Sequence, residues 1–237
     1  MLTDLVLDPA TGVSIDPASA RNLRYLDGTG PYLDGLFRGT DDLGSGSEVL
    51  LGQASSWPLI YHVSPHRWSL LDCIGLPGRA CTVLELGAGC GSVARWLGER
   101  FSDVRAIQGS PARAALTRGH CRGLDSVHVY EANFSCLEID DEFDVVTMRG
   151  VLEYSTVYHP AGASISAENA ALANLRTGAR ALRSPGVMVV AIENRLGAKV
   201  REGALESLPE LEDELVTTAV AFLEGATALK EADRTWT

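Results

Sequence analysis

Three glycines at alternate positions, Gly87, Gly89 and Gly91, carry the most legible chemistry of this chain. They stand in the run Leu84-Glu85-Leu86-Gly87-Ala88-Gly89-Cys90-Gly91-Ser92. The residues before them, Thr82 to Leu86, read as a short buried strand. Those after, Val93-Ala94-Arg95-Trp96-Leu97, have the apolar spacing of a helix. A strand, a glycine loop and a helix in that order make a cofactor cradle. The glycines let backbone approach a ligand without a Cβ clash, and the helix start offers unpaired N–H groups and partial positive charge. A dinucleotide site wants G-x-G-x-x-G, with the third glycine for close helix packing. Here the pattern is G-x-G-x-G, position 92 is Ser, and an acid, Glu85, precedes the first glycine. The competing reading is a tight strand-to-helix turn without a ligand.

Elements that alternate must hold this loop in place. Strands are expected at Thr82–Leu86, Val104–Ile107, Val127–Tyr130, Phe143–Thr147 and Val187–Ile192. Helices are expected at 92–100, about 111–121, briefly after 149, and 168–183. The alternation predicts an α/β fold with a doubly wound, mostly parallel sheet. Ahead of it, Ser64-Pro65 predicts a helix start with Ser as N-cap, running to Ile74 and stopped by Gly75-Leu76-Pro77-Gly78. Residues 1–56 are rich in Gly, Asp, Ser and Pro, as in Asp41-Asp42-Leu43-Gly44-Ser45-Gly46-Ser47, and form an N-terminal extension or lid. Residues 57–200 form the central domain. Residues 201–237 form a C-terminal helical segment, because Leu211, Leu215, Val216, Ala219, Val220, Leu223 and Ala226 recur at helical spacing.

Charge and cysteine usage narrow the class. A net charge of −11 argues against a nucleic-acid substrate and leaves small or carrier-bound molecules. The five cysteines, Cys73, Cys81, Cys90, Cys121 and Cys136, form no C-x-x-C pair and no Cys/His cluster with metal spacing, so no metal is expected. Their scatter fits reduced thiols. The stretch after Met1 is acidic and is not a signal peptide, and no apolar run reaches the roughly 18 residues that span a bilayer. A cytoplasmic protein is expected.

Further blocks extend the pattern. They are Tyr61-His62-Val63-Ser64-Pro65, Gln108-Gly109-Ser110-Pro111-Ala112-Arg113-Ala114, Phe143-Asp144-Val145-Val146-Thr147, Val151-Leu152-Glu153-Tyr154-Ser155 and Ala191-Ile192-Glu193-Asn194-Arg195-Leu196-Gly197. With the glycine loop, the chain resembles class I S-adenosylmethionine-dependent methyltransferases over residues 61–199. Within that class it is similar to domains of bacterial polysaccharide and natural-product biosynthesis. The resemblance implies a Rossmann-like fold, with S-adenosylmethionine as cofactor and S-adenosylhomocysteine as product. It implies cofactor contacts at Tyr61, Glu85, Gly87, Ala88, Gly89, Cys90, Gly91, Gln108, Gly109, Ser110, Asn133, Phe134, Met148 and Arg149. Glu85 would orient the cofactor's amino group, or cap the next turn. Gln108 replaces the family's usual acid, which holds the ribose hydroxyls; an amide keeps hydrogen bonding but loses the charge-assisted part. Asn133 would accept from the adenine amino group. Phe134 would flank the ring or belong to the core. Arg149 would meet an acidic substrate group or a surface acid. The family's last two strands, a hairpin after the fifth, are missing or replaced here.

The acceptor is less defined. The amino-methyltransferase motif Asn/Asp-Pro-Pro-aromatic and the Pro-Cys pair of cytosine-C5 enzymes are absent. That leaves a hydroxyl, an amine or an activated carbon on a small molecule or glycan, with a hydroxyl favoured. A hydroxyl needs a positioned base. Glu153 and His159 are the catalytic candidates, unranked, with His62 and His66 weaker. Positioning without a base is the other mechanism. A non-catalytic partner or scaffold domain is the alternative function. A homodimer or a larger multidomain context is compatible with either.

Overall fold

The computed structural model describes residues 5–18, 23, 28–140, 142–192 and 222–224. Its sheet orders eight strands as β1-β2-β5-β4-β3-β6-β7-β8. These are β1 (Val6–Asp8), β2 (Val13–Ile15), β3 (Thr82–Leu86), β4 (Asp103–Gln108), β5 (Val127–Glu131), β6 (Phe143–Arg149), β7 (Leu182–Ala191) and β8 (Phe222–Glu224). The run from β2 to β7 is parallel, and β1 and β8 close its two ends antiparallel. A doubly wound, mostly parallel sheet is therefore present. The reversal of strand order lies between β3 and β6, and ligands of open α/β sheets bind beyond the carboxyl ends of strands at such a point.

The two faces of the sheet sort by the period-2 alternation of each strand. Val83, Val104, Val129 and Val145 face one layer with α5 (Ser92–Arg100) and α6 (Pro111–His120). Leu84, Leu86, Val146 and Met148 face the other, against α8 (Ala167–Ala181). Both faces are covered, which is why the strands read as near-continuous Val/Leu/Ile runs.

The N-terminal region builds a third core. Helices α1 (Gly30–Gly39), α2 (Glu48–Gln53) and α3 (Trp57–Val63) bury Leu33, Phe37, Leu50 and Leu59 together with Cys90 of the glycine loop and Leu116 of α6. Glu99 fastens this region to α5. It accepts from Ser45 Oγ at 2.6 Å and from Arg95 Nε at 2.8 Å. At the far edge, the hairpin β1–β2 extends the sheet through the parallel pairing of β2 with β5.

Three expectations are corrected. The helix predicted from Ser64 to Ile74 is a 3-10 turn at Pro65–Arg67 followed by α4 (Ser69–Cys73). Ser64 does cap it, accepting from His66 N at 3.2 Å, but Trp68 breaks the regular turn. The strand expected at Val187 begins instead at Leu182 and carries Ser184-Pro185-Gly186 within it. Residues 222–224, assigned to a helix by periodicity, form β8 on the open edge of β7. Three residues, Phe222-Leu223-Glu224, are too few for a period to distinguish helix from strand, and an edge of unpaired backbone groups favours a strand. The rest of the expected C-terminal helix, and the block from Glu193 to Gly197, lie outside the described residues. No described helix is long and apolar enough to cross a membrane.

Gly91 shows how tightly the loop sits on this frame. It has φ +88°, and a Cβ there would stand 2.9 Å from the Thr117 Cα and 3.1 Å from the His120 Cβ. Both belong to α6, so Gly91 lets α5 start against α6 backbone. Gly91→Ala combines left-handed strain with overpacking and is expected to lower stability by at least ~2 kcal/mol. Urea melts of the two proteins check this; an unchanged midpoint would contradict the packing role.

Candidate functional site

Backbone hydrogen bonds fix the loop before any ligand is considered. Gly87 N and Ala88 N both donate to the Ile107 carbonyl of β4, at 2.9 and 3.0 Å. The Gly89 carbonyl accepts from Thr117 Oγ1 at 3.0 Å and from Gln108 Nε2 at 3.4 Å. The Cys90 carbonyl lies 3.2 Å from His120 Nδ1. A carbonyl only accepts, so Nδ1 carries the proton. Burial pushes the His120 pKa down to about 4, ahead of smaller contributions from the Cys90 carbonyl and Arg95. The neutral ring stacks on Phe37, with centroids 4.4 Å apart.

The three glycines of the motif do different work. A Cβ at Gly87 (φ +86°) would meet Val151 Cγ1, and one at Gly91 would meet α6, whereas at Gly89 (φ +62°) the space is open. Of the three, Gly89 alone keeps room that no described residue fills. That room belongs to a cavity of about 500 Å³ at the carboxyl ends of the strands, within the range of small-molecule and cofactor sites.

Of the residues expected at the cofactor, Tyr61, Glu85, Gly87, Ala88, Gly89, Cys90, Gln108, Gly109, Ser110, Asn133, Phe134 and Arg149 line this cavity. Gly91 and Met148 do not. Gly91 is spent on helix packing, and Met148, fully buried, points into the core under α8 because its neighbour Arg149 takes the cavity side of β6. Of the base candidates, Glu153 lines the cavity, and so does the buried His62. His159 and His66 do not. His159 Nδ1 accepts from Ala161 N at 3.1 Å, closing a turn after α7 (Ser155–Tyr158) that carries its ring away.

Two amides are more engaged than their types suggest. Gln108 Oε1 accepts from Ser110 N at 3.1 Å while its Nε2 reaches Gly89, so the side chain braces the loop against the start of α6. A carboxylate could not donate to the Gly89 carbonyl, which gives a structural reason for glutamine here. Asn133 Oδ1 accepts from Ser135 N at 3.1 Å, and its Nδ2 donates to the Tyr158 carbonyl at 2.9 Å. It ties the turn after β5 to α7.

Sequence reasoning missed several cavity residues. Trp57 and Pro58 of α3 stand at the start of the region read as the central domain, with no role assigned, and Arg67, in the turn after α3, stands in a stretch read as helix alone. Tyr154, Tyr158 and Asn174 come from the segment after β6 and from α8. Asn174 had a signal: it is a polar residue on the buried stripe of α8. It accepts from Ser135 Oγ at 2.8 Å and donates to Ser155 Oγ at 3.0 Å, locking the cavity's floor.

The electrostatics centre on Glu85. It is 5% exposed, and its Oε2 has no hydrogen-bond partner among the described residues. Burial raises its pKa to about 7, against the pull of Arg149 and then Arg67. Arg149 is lowered to about 10 by burial and by Arg67, and partly restored by Glu85. A buried carboxylate oxygen without a donor among the described residues, at the cavity that the open face of Gly89 also lines, fits the ammonium end of S-adenosylmethionine.

The comparisons with known proteins bear on the same segment. Residues 83–171 match the family model described as a methyltransferase domain. No curated protein sequence matches the chain. Among solved structures, it is similar to an S-adenosylmethionine-dependent methyltransferase from Mesorhizobium loti, at 25% identity over 56% of each chain and a TM-score of 0.44. It is similar to the CcbJ methyltransferase from Streptomyces caelestis, at 22% identity over 54% of this chain and 49% of that one, with a TM-score of 0.43. The DhpI-SAM-HEP complex matches at 18% identity over 80% of this chain and 86% of that one, with a TM-score of 0.48. The chain spans about half the length of the first two.

Glu85 gives the site a pH dependence of defined sign. The unfolded chain releases this proton near 4.5 and the folded chain near 7. Between those values the folded state holds more protons, so this group's contribution favours folding most below pH 4.5 and is lost as pH rises through 7. An ammonium ligand needs the ionised form. Its binding should therefore release a proton below pH 7, and affinity should fall by up to about tenfold per pH unit there. Calorimetry of S-adenosylhomocysteine in buffers of different ionisation enthalpy measures the release, and Glu85→Gln should abolish it.

Proposed function

We propose that this chain, whose residues 83–171 match a methyltransferase domain, is a class I S-adenosylmethionine-dependent methyltransferase that transfers a methyl group to a hydroxyl of a small-molecule or sugar acceptor in a biosynthetic pathway. The observation that carries the reading is Glu85 Oε2, buried without a hydrogen-bond partner among the described residues, at the cavity that the open face of Gly89 also lines. Glu85 holds the cofactor's amino group, the Gly87–Gly89 backbone its methionine moiety, and Gln108, Gly109 and Ser110 its ribose side. Asn133 and Phe134 border the adenine. The described residues of the central domain carry the site, and helices α1 to α3 support its outer wall. S-adenosylmethionine supplies an activated methyl group on a sulfonium. The chain's part is to exclude water, align the acceptor and take up the hydroxyl proton.

Glu153 is the favoured proton acceptor. It lines the cavity from the segment that follows β6. Turnover should fall by roughly 10²- to 10⁴-fold in Glu153→Gln, with affinity for S-adenosylhomocysteine little changed. Near-normal turnover in that variant on the identified substrate would leave positioning as the mechanism.

The second reading, a non-catalytic partner domain, draws on Gln108, whose amide is occupied by Gly89 and Ser110. Calorimetry separates the two. The enzyme reading requires S-adenosylhomocysteine to bind in preference to NAD, and Gly89→Val to abolish that binding by filling the open face of the loop. Absence of binding to the wild type, or unchanged affinity in Gly89→Val, would sink it.

A further inference from the structure

Two arginines, Arg149 and Arg67, line the cavity and act on each other electrostatically. Arg149 is the last residue of β6, and its Nε and Nη1 are buried without a hydrogen-bond partner among the described residues. Arg67 ends the turn after α3, with its guanidinium carbon 4.1 Å from the centre of the Tyr61 ring. The ring holds that guanidinium in place but carries no full negative charge to balance it. The carboxylate that acts on both is Glu85, which the cofactor's ammonium group also needs. The cofactor's ammonium comes with a carboxylate on the same carbon, so its binding leaves the excess of guanidinium over Glu85 unchanged. Among the described residues the cavity's other lining acid is Glu153, which is not among the charges that shift Arg149. Unpaired buried cations are costly, so the arrangement lacks one anion.

We propose that Arg149 and Arg67 receive an oxyanion, a carboxylate or phosphate, carried by the methyl acceptor. This rests on the reading of the cavity as a methyl-transfer site. The placement favours the acceptor over the cofactor. Arg149 opens the segment Gly150–Tyr154, which carries Glu153, while Arg67 and Tyr61 come from the N-terminal wall next to the exposed Trp57. The oxyanion would anchor the acceptor on these two elements and turn its hydroxyl toward Glu153. Arginine suits this role because its fork matches the oxygen spacing of carboxylate and phosphate.

The test uses the full chain saturated with S-adenosylhomocysteine, with inorganic phosphate, phenyl phosphate and 4-hydroxybenzoate as anionic probes and phenol as the neutral control. Calorimetry and thermal shift should show at least one anion binding where phenol does not. Arg149→Gln and Arg67→Gln should each weaken that anion by roughly tenfold to a hundredfold, and Arg149→Lys by less. Arg67→Gln, outside the sheet, carries the test if Arg149→Gln does not fold. The ratio of affinities for S-adenosylhomocysteine and its decarboxylated analogue should be the same in wild type and variants. No anion binding to the saturated wild type, or anion affinity unchanged in the variants, overturns the proposal. A ratio that collapses in Arg149→Gln also overturns it, because the anion is then the cofactor's own carboxylate. Failure of S-adenosylhomocysteine to bind the wild type is a different result and overturns the methyltransferase reading itself.

Discussion

The carbonyl of Ile107 accepts two consecutive amides, Gly87 N and Ala88 N, and this shared acceptor turns the chain out of β3 over the end of β4. The rest of the glycine loop depends on that turn. It puts the Gly89 carbonyl in reach of Thr117 and Gln108, the Cys90 carbonyl in reach of His120, and Gly91 against the α6 backbone. Thr117 and His120 hold these carbonyls from α6 and Gln108 from the end of β4, and the open side of Gly89 is left to the cavity. The cost is a buried imidazole whose Nε2 has no partner among the described residues and which burial keeps neutral.

A second constraint is electrostatic. The cavity buries the Glu85 carboxylate and is lined also by Glu153 and by Arg67, Arg113 and Arg149, in an otherwise acidic chain. Burial disfavours each charged form and the opposite charges partly restore it, which is why Glu85 moves up and Arg149 moves down. Such a set is at odds with itself without a ligand bearing charge, and opposed pKa shifts of this kind cluster at functional sites.

The outer wall comes from residues before the sheet. Helices α1 to α3 share a core with Cys90 and Leu116, so the glycine loop is clamped between α6 and the N-terminal region. The same packing presents Trp57, Tyr61 and Arg67 to the cavity. On the opposite side, Asn174, Ser155, Ser135 and Asn133 form a hydrogen-bonded tie between α8, α7 and the turn after β5. Buried amides rarely stand alone, and here they set the position of the segment bearing Glu153.

The sequence by itself determined the parallel sheet and the place of the glycine loop, because both rest on local signals. Strand β3 and helix α5 have the bounds that periodicity assigns them, since the apolar runs are buried on two faces and the glycines punctuate them. Glu85 as the acid of the loop was legible for the same reason. Which glycine spares room for a ligand was not, since Gly87 and Gly91 owe their lack of a side chain to Val151 and α6, distant in sequence. The choice between Glu153 and His159 at the cavity also needed the fold: both lie in one short segment, and only the turn closed by His159 Nδ1 sends them apart. Strand β8 and the placing of Arg67 and Arg149 in one cavity were likewise decided by tertiary structure. A period counts neighbours along the chain, whereas an open sheet edge and a shared cavity are made by elements that meet only in space.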